Sequence, residues 1–276
     1  MPHPALAAAS GLARQAGAEF RKIAAARMTL AFLLALPVGT YLFAFELYHV
    51  EGVADRVGVP DVLHAVPMLF FASWKTLLFQ AALVSFAAFW TTLDSQYGMI
   101  RVGCSQPLSR TQYLAGRWLA LSAYVLLFGV AFVLVQLAWV AVCSGLSGVG
   151  AADLARVVRF SLETLAFLLA LAWVTIAVAS LRRTVGGGIV TAYLVAIGLA
   201  FMTMLPHDLV PPRLVLMRHF FFPLQEFVDP FAAEGYHDTP FARAYTRADF
   251  WLVVLATPFA FLVPALLYFR RRDITE

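Results

Sequence analysis

Six stretches of this chain, residues 28–48, 66–93, 118–143, 160–181, 185–205 and 250–269, each run for 20 residues or more with almost no charge. A helix crosses the hydrocarbon core of a bilayer with about 20 mostly apolar residues. Within the six runs only Glu46, Lys75 and Glu163 are charged. Strands of a membrane barrel would be about 10 residues long and alternating, whereas residues 160–181 are far longer and do not alternate. Composition agrees: 62% of the 276 residues are apolar and 13% charged, against about 45–50% and 25% in soluble domains. So few charges cannot cover a water-soluble surface, which excludes a soluble enzyme and a disordered chain. Cys104 and Cys143, the only cysteines, give neither a disulfide framework nor a metal spacing. The expected fold is an all-α integral membrane bundle of six transmembrane helices.

Six spans place both ends of the chain on one side. That side (1–27, 94–117, 182–184 and 270–276) carries 12 basic residues in 61 positions, against 7 in 77 for the other (49–65, 144–159 and 206–249). An excess of Lys and Arg marks the cytoplasmic face, so both termini are expected inside. Residues 1–27 lack the apolar core of a cleavable signal, and 28–48 is expected as a retained helix. On a helix over residues 11–27, Leu12, Ala16, Phe20 and Ile23 share one face and Arg14 and Arg21 the other. That pattern suits an amphipathic helix lying in the cytoplasmic interface, with Phe20 toward the apolar side and Arg21 and Lys22 near headgroups; a frayed basic tail is the alternative. The chain thus divides into residues 1–27 and a six-helix domain over 28–276.

Between spans two and three, residues 94–117 are short, basic and punctuated by Gly98 and Pro107. Ser109 and Gln112 have the spacing of a capping box, so a helix is expected to start there and continue into span three. The longest external stretch, 206–249, includes residues 214–222, which are too apolar for a solvated loop and too short to cross, and are expected as a re-entrant or interfacial helix.

No G-x-x-x-x-G-K-S/T loop is present, so no nucleotide phosphate is bound by that route. Gly186, Gly187 and Gly188 open a span, where small residues let helices approach closely. No span contains a histidine and no H-E-x-x-H motif occurs, which leaves intramembrane hydrolysis without a base. His49, His64, His207, His219 and His237 fall on the external side at spacings that fit no defined metal site; no metal is expected, and loop histidines of this kind are ordinarily solvated. Charges in a membrane span are costly and commonly functional, which makes Lys75, Glu46 and Glu163 candidates for lining a translocation path. Against this, Arg159 sits one turn before Glu163 for an i,i+4 pair, Glu46 lies near the end of its span, and Lys75 can snorkel outward.

Taken in order, Asp94, Gly98-Met99-Ile100-Arg101, Pro107-Leu108-Ser109-Arg110 and Gly116-Arg117 are similar to the coupling pattern of ABC-2 type exporter permeases: an acidic residue, Gly-Thr-Leu-Arg, Pro-Val-Ser-Arg and Gly-Lys. The ending Phe269-Arg270-Arg271-Arg272-Asp273 also resembles that family's terminal signature. Met99 for Thr and Asp94 for the commoner Glu are departures. The resemblance covers the whole chain and implies a permease subunit, itself without cofactor, in a bacterial inner membrane. It would pair with a second permease copy, homodimeric or related, and dock through 94–117 on a separate ATP-binding subunit that carries ATP and Mg. The residues implied in coupling are Asp94, Gly98, Arg101, Pro107, Ser109 and Arg110. Enzyme activity on this chain and nucleic-acid binding are not expected. Two other readings remain: a secondary transporter using Lys75 and Glu163, and a membrane scaffold on which ATP-binding partners do mechanical work. The substrate is open.

Overall fold

A computed structural model of the chain describes residues 4–26, 29, 77–97, 110–144, 150–202, 214–221 and 246–271. Among them every regular element is helical: α1 (Pro4–Ala25), α2 (Leu77–Gln96), α3 (Arg110–Ser144), α4 (Ala151–Ala179), α5 (Val185–Phe201), a short 3₁₀ helix (Leu216–Phe221) and α6 (Arg247–Arg271). Three helical stretches, Thr111–Val135, Leu154–Ala179 and Arg247–Arg271, are long and apolar enough to cross a membrane. At about 1.5 Å per residue their 25 or 26 residues exceed the roughly 30 Å hydrocarbon core. Span one, most of the first half of span two and the ends of the chain lie outside the described residues.

The helices pack around α4. Its inward residues, among them Phe167, Leu168, Leu171 and Ile176, are buried on several faces. The buried hydroxyls of Ser161, Thr164 and Thr175 donate to carbonyls one turn back, at Val157, Phe160 and Leu171, which satisfies them inside the helix. On α6, Phe250, Val253, Val254, Leu262 and Ala265 are buried, while Leu252, Leu255, Phe259, Val263 and Leu267 face outward. A helix apolar all round and open on one side suits lipid rather than water.

Helix α1 is Ala-rich and starts at Pro4 rather than at residue 11, so Gly11 does not interrupt it. A single glycine costs only about 1 kcal/mol in a helix, and alanines precede it. The amphipathic division holds: Ile23 is buried, Leu12, Ala16 and Phe20 are half-buried, and Arg14 and Arg21 are exposed. The helix packs along the start of α3. A Cβ on Gly116 would lie 2.7 Å from Gln15 Cγ, so the small residue permits this close approach. Ile23, Phe86, Trp90, Leu121, Tyr124 and Ile176 then join α1, α2, α3 and α4 in one core, with Phe86 and Tyr124 stacked at 5.0 Å.

Helix α3 starts at Arg110, directly after the capping position expected at Ser109. Helix α4 starts at Ala151, inside what the apolar pattern marks as a loop up to residue 159. Its first turns carry exposed Arg156 and Arg159, so the helix outlasts its apolar stretch. Within the 214–222 stretch expected as a re-entrant or interfacial helix, residues 216–221 form a short 3₁₀ helix, and His219 is fully buried rather than solvated, edge-on to Phe250. Packing against α6 draws it in.

Candidate functional site

Where α2 ends, three helices meet in a cluster of charges. Asp94 sits two residues before the end of α2. A carboxylate there opposes the negative end of the helix dipole and needs cationic partners. Lys22 of α1 donates to Asp94 Oδ1 at 2.6 Å. From α3, Tyr113 Oη and Arg117 Nη1 donate to Oδ2 at 2.8 and 3.0 Å. Tyr113 and Arg117 are four residues apart, on one face of α3. The second arm of the guanidinium, Nη2, donates to the carbonyl of Trp90, one turn before Asp94. Glu19 completes the cluster, with its carboxylate 3.9 Å from Lys22 Nζ and within reach of Gln15 Nε2 at 3.4 Å.

Two acids and two bases make the cluster neutral. The side chains of Asp94 and Arg117 are 5% and 2% exposed, whereas Lys22 keeps 41%. The inner pair is therefore the costly one to break, and Lys22 is the partner that water and salt can reach. Burial alone would push the Asp94 carboxyl up. The Arg117 guanidinium, together with the hydrogen bonds from Lys22 and Tyr113, outweighs this and holds it below its ordinary 3.8. With its charged groups satisfying one another, the arrangement is suited to joining α1, α2 and α3 at the point where the chain leaves α2 for residues 98–109. Tyr113 and Leu114 also touch Phe269, so the end of α6 reaches the same place.

The residues singled out in the sequence separate clearly. Asp94 and Lys22, read there as parts of two different features, are in direct contact. Phe20 packs against the core beside Tyr124, at 6.5 Å, and Arg21 faces outward. Arg110 opens α3. Gly98, Arg101, Pro107, Ser109, Glu46 and Lys75 lie outside the described residues. Glu163 is elsewhere, in the first half of α4: Arg159 reaches it at 4.0 Å, as the i,i+4 spacing foretold, and Arg247 at the start of α6 reaches it at 3.2 Å. Glu163 is thus a tie between α4 and α6. Of the small-residue run, Gly188 makes the expected close approach, against Thr92.

Glu19, Trp90 and Tyr113 were not anticipated as partners. The one available signal was the four-residue spacing of Tyr113 and Arg117. Among the described residues no group of three or more His, Cys, Asp or Glu side chains could hold a metal ion. No protein-family model matches the chain, and neither does any curated protein or solved structure.

Proposed function

We propose that the chain is the transmembrane permease subunit of an ATP-driven exporter of the ABC-2 type, with six spans, α1 as an interfacial elbow helix and both termini in the cytoplasm of a bacterium. A second permease copy and a separate ATP-binding subunit complete the transporter, and ATP and Mg reside on the latter. The observation that carries this reading is the fastening of Asp94. It stands at the entrance to the 94–117 segment and is held at once to α1 through Lys22 and to α3 through Tyr113 and Arg117. Force applied to 94–117 by a closing ATPase would reach three helices together. Arg101 and Arg110 would supply bidentate contacts to carboxylates of that subunit.

A secondary transporter is the weaker reading, because Glu163, one of its two candidate charge carriers, is engaged by Arg159 and Arg247. The experiment is purification of the chain from its native membrane, identification of any associated chain bearing a phosphate-binding loop, and measurement of ATP turnover by the pair in lipid. The exporter reading expects such a chain and turnover that responds to substrate; turnover indifferent to every cargo would favour the scaffold.

A further inference from the structure

Beyond the charged cluster, α2 is fastened to a helix that the apolar pattern did not connect with it. Helix α5 runs antiparallel beside α2, and the contacts fall at regular helical spacing on both. At the end of α2, Gln96 Oε1 accepts the backbone N–H of Val185, the first residue of α5, at 2.9 Å. One turn along, Gly188 lies so close to Thr92 that a Cβ there would collide with the threonine methyl group. The methyl is fixed in place because Thr92 Oγ1 donates to Ala88 O at 2.8 Å. A further turn along, Ala88 and Ala192 share a buried cluster with Val84 and Ala179. Beyond that, Tyr193 Oη lies 2.8 Å from both Ser85 Oγ and the carbonyl oxygen of Ala81.

Residues 81, 85, 88, 92 and 96 are three or four apart and form one stripe, as do 185, 188 and 192. Small residues in the middle bring the backbones together, and polar ties close both ends. Thr184 Oγ1 and its carbonyl take the N–H groups of Gly187 and Gly188. The N–H of Val185 is then one of the free donors of the first turn, and the side chain that meets it comes from another helix. Gln96 is two residues past Asp94, on the same last turn of α2.

We propose that α2 and α5 move as one body and that Gln96 is the positioning residue that makes α5 follow the 94–117 segment. The proposal rests on the exporter reading for the source of the movement. The packing itself does not depend on that reading. A push on 94–117 is thereby delivered to α5 as well as to the helices held by Asp94, and the turn at residues 180–184 between α4 and α5 takes up the difference.

Two arms test it, both on the full chain in nanodiscs of phosphatidylethanolamine and phosphatidylglycerol. The first is hydrogen exchange of the first turn of α5. Gln96→Ala should speed exchange at Val185 about tenfold, the scale of one lost hydrogen bond, and Gln96→Glu, which keeps an acceptor, should restore it. The second is ATP turnover with the ATP-binding subunit bound. Gly188→Ala should lower stimulated turnover at least about tenfold with subunit binding intact, and adding Thr92→Ser, which removes the colliding methyl group, should recover it. Unchanged exchange in Gln96→Ala overturns the tie. Full turnover in Gly188→Ala overturns the claim that the two helices move together. A wild-type chain that binds no ATP-binding subunit refutes the exporter reading instead, and the exchange arm then decides the tie alone.

Discussion

Arg117 meets Asp94 at 3.0 Å with both side chains almost wholly withdrawn from solvent, and its other arm takes the carbonyl of Trp90 on the same helix. One guanidinium therefore braces α2 one turn before its last and neutralises the acid that its last turn carries. A lysine in its place could make only one of these contacts with the same geometry.

Removing either member should be costly because the other stays charged and buried. Asp94→Ala should destabilise the protein by about 3–5 kcal/mol. Arg117→Lys should recover only part of the loss seen in Arg117→Ala. Thermal unfolding in detergent measures both, and a melting temperature for Asp94→Ala equal to that of wild type would mean that the pair contributes nothing.

The pH dependence has a defined sign. The folded protein holds the Asp94 carboxyl below its ordinary 3.8, so this group's contribution to stability is complete above that value. It is lost as pH falls from there through the depressed folded value, since the unfolded chain binds the proton first. The stability gap between wild type and Asp94→Asn should be constant near neutrality and should narrow below about pH 4. A gap that widened on acidification would reverse the assignment.

Glu163 and Arg247, 3.2 Å apart, join the first half of α4 to the first turn of α6. Arg247 keeps 38% of its side chain exposed, so the pair should be worth less than Asp94 with Arg117. A double-mutant cycle with Glu163→Gln and Arg247→Gln should give a coupling energy of about 1 kcal/mol. A coupling of zero would make the contact incidental.

Sidedness can be read from a thiol. Cys104 lies in the 94–117 segment, assigned to the cytoplasm on the arginine asymmetry. In intact cells a membrane-impermeant maleimide should leave Cys104 unmodified until the membrane is opened. Modification from outside would invert the topology.

What the sequence made legible was what depends on neighbours within a turn or two. Among the described residues the second to sixth apolar runs coincide with α2 to α6, the division of Leu12, Phe20 and Ile23 from Arg14 and Arg21 oriented α1, and Arg159 foretold a partner for Glu163. Contacts between distant residues were invisible to periodicity. Lys22 meets Asp94 across 72 positions, Glu163 meets Arg247 across 84, and Gln96 meets Val185 across 89. Such pairings follow from how helices cross, which close packing at Gly116 and Gly188 decides. His219 shows the same gap: its residue type and loop position suggested solvent, and only the packing of Phe250 shows why it is buried.

Under the proposed function, residues 94–117 receive work from an ATP-binding subunit. The most direct measurement is the affinity of that subunit for the full chain in lipid, for wild type and Arg101→Glu. A reversed charge at a partly buried contact costs several kcal/mol. The variant should therefore insert and melt normally but lose affinity by at least about a hundredfold, with stimulated ATP turnover falling alongside it. Full binding and full turnover in a correctly inserted Arg101→Glu chain would contradict it, leaving 94–117 as a connecting loop and the exporter reading without its main support.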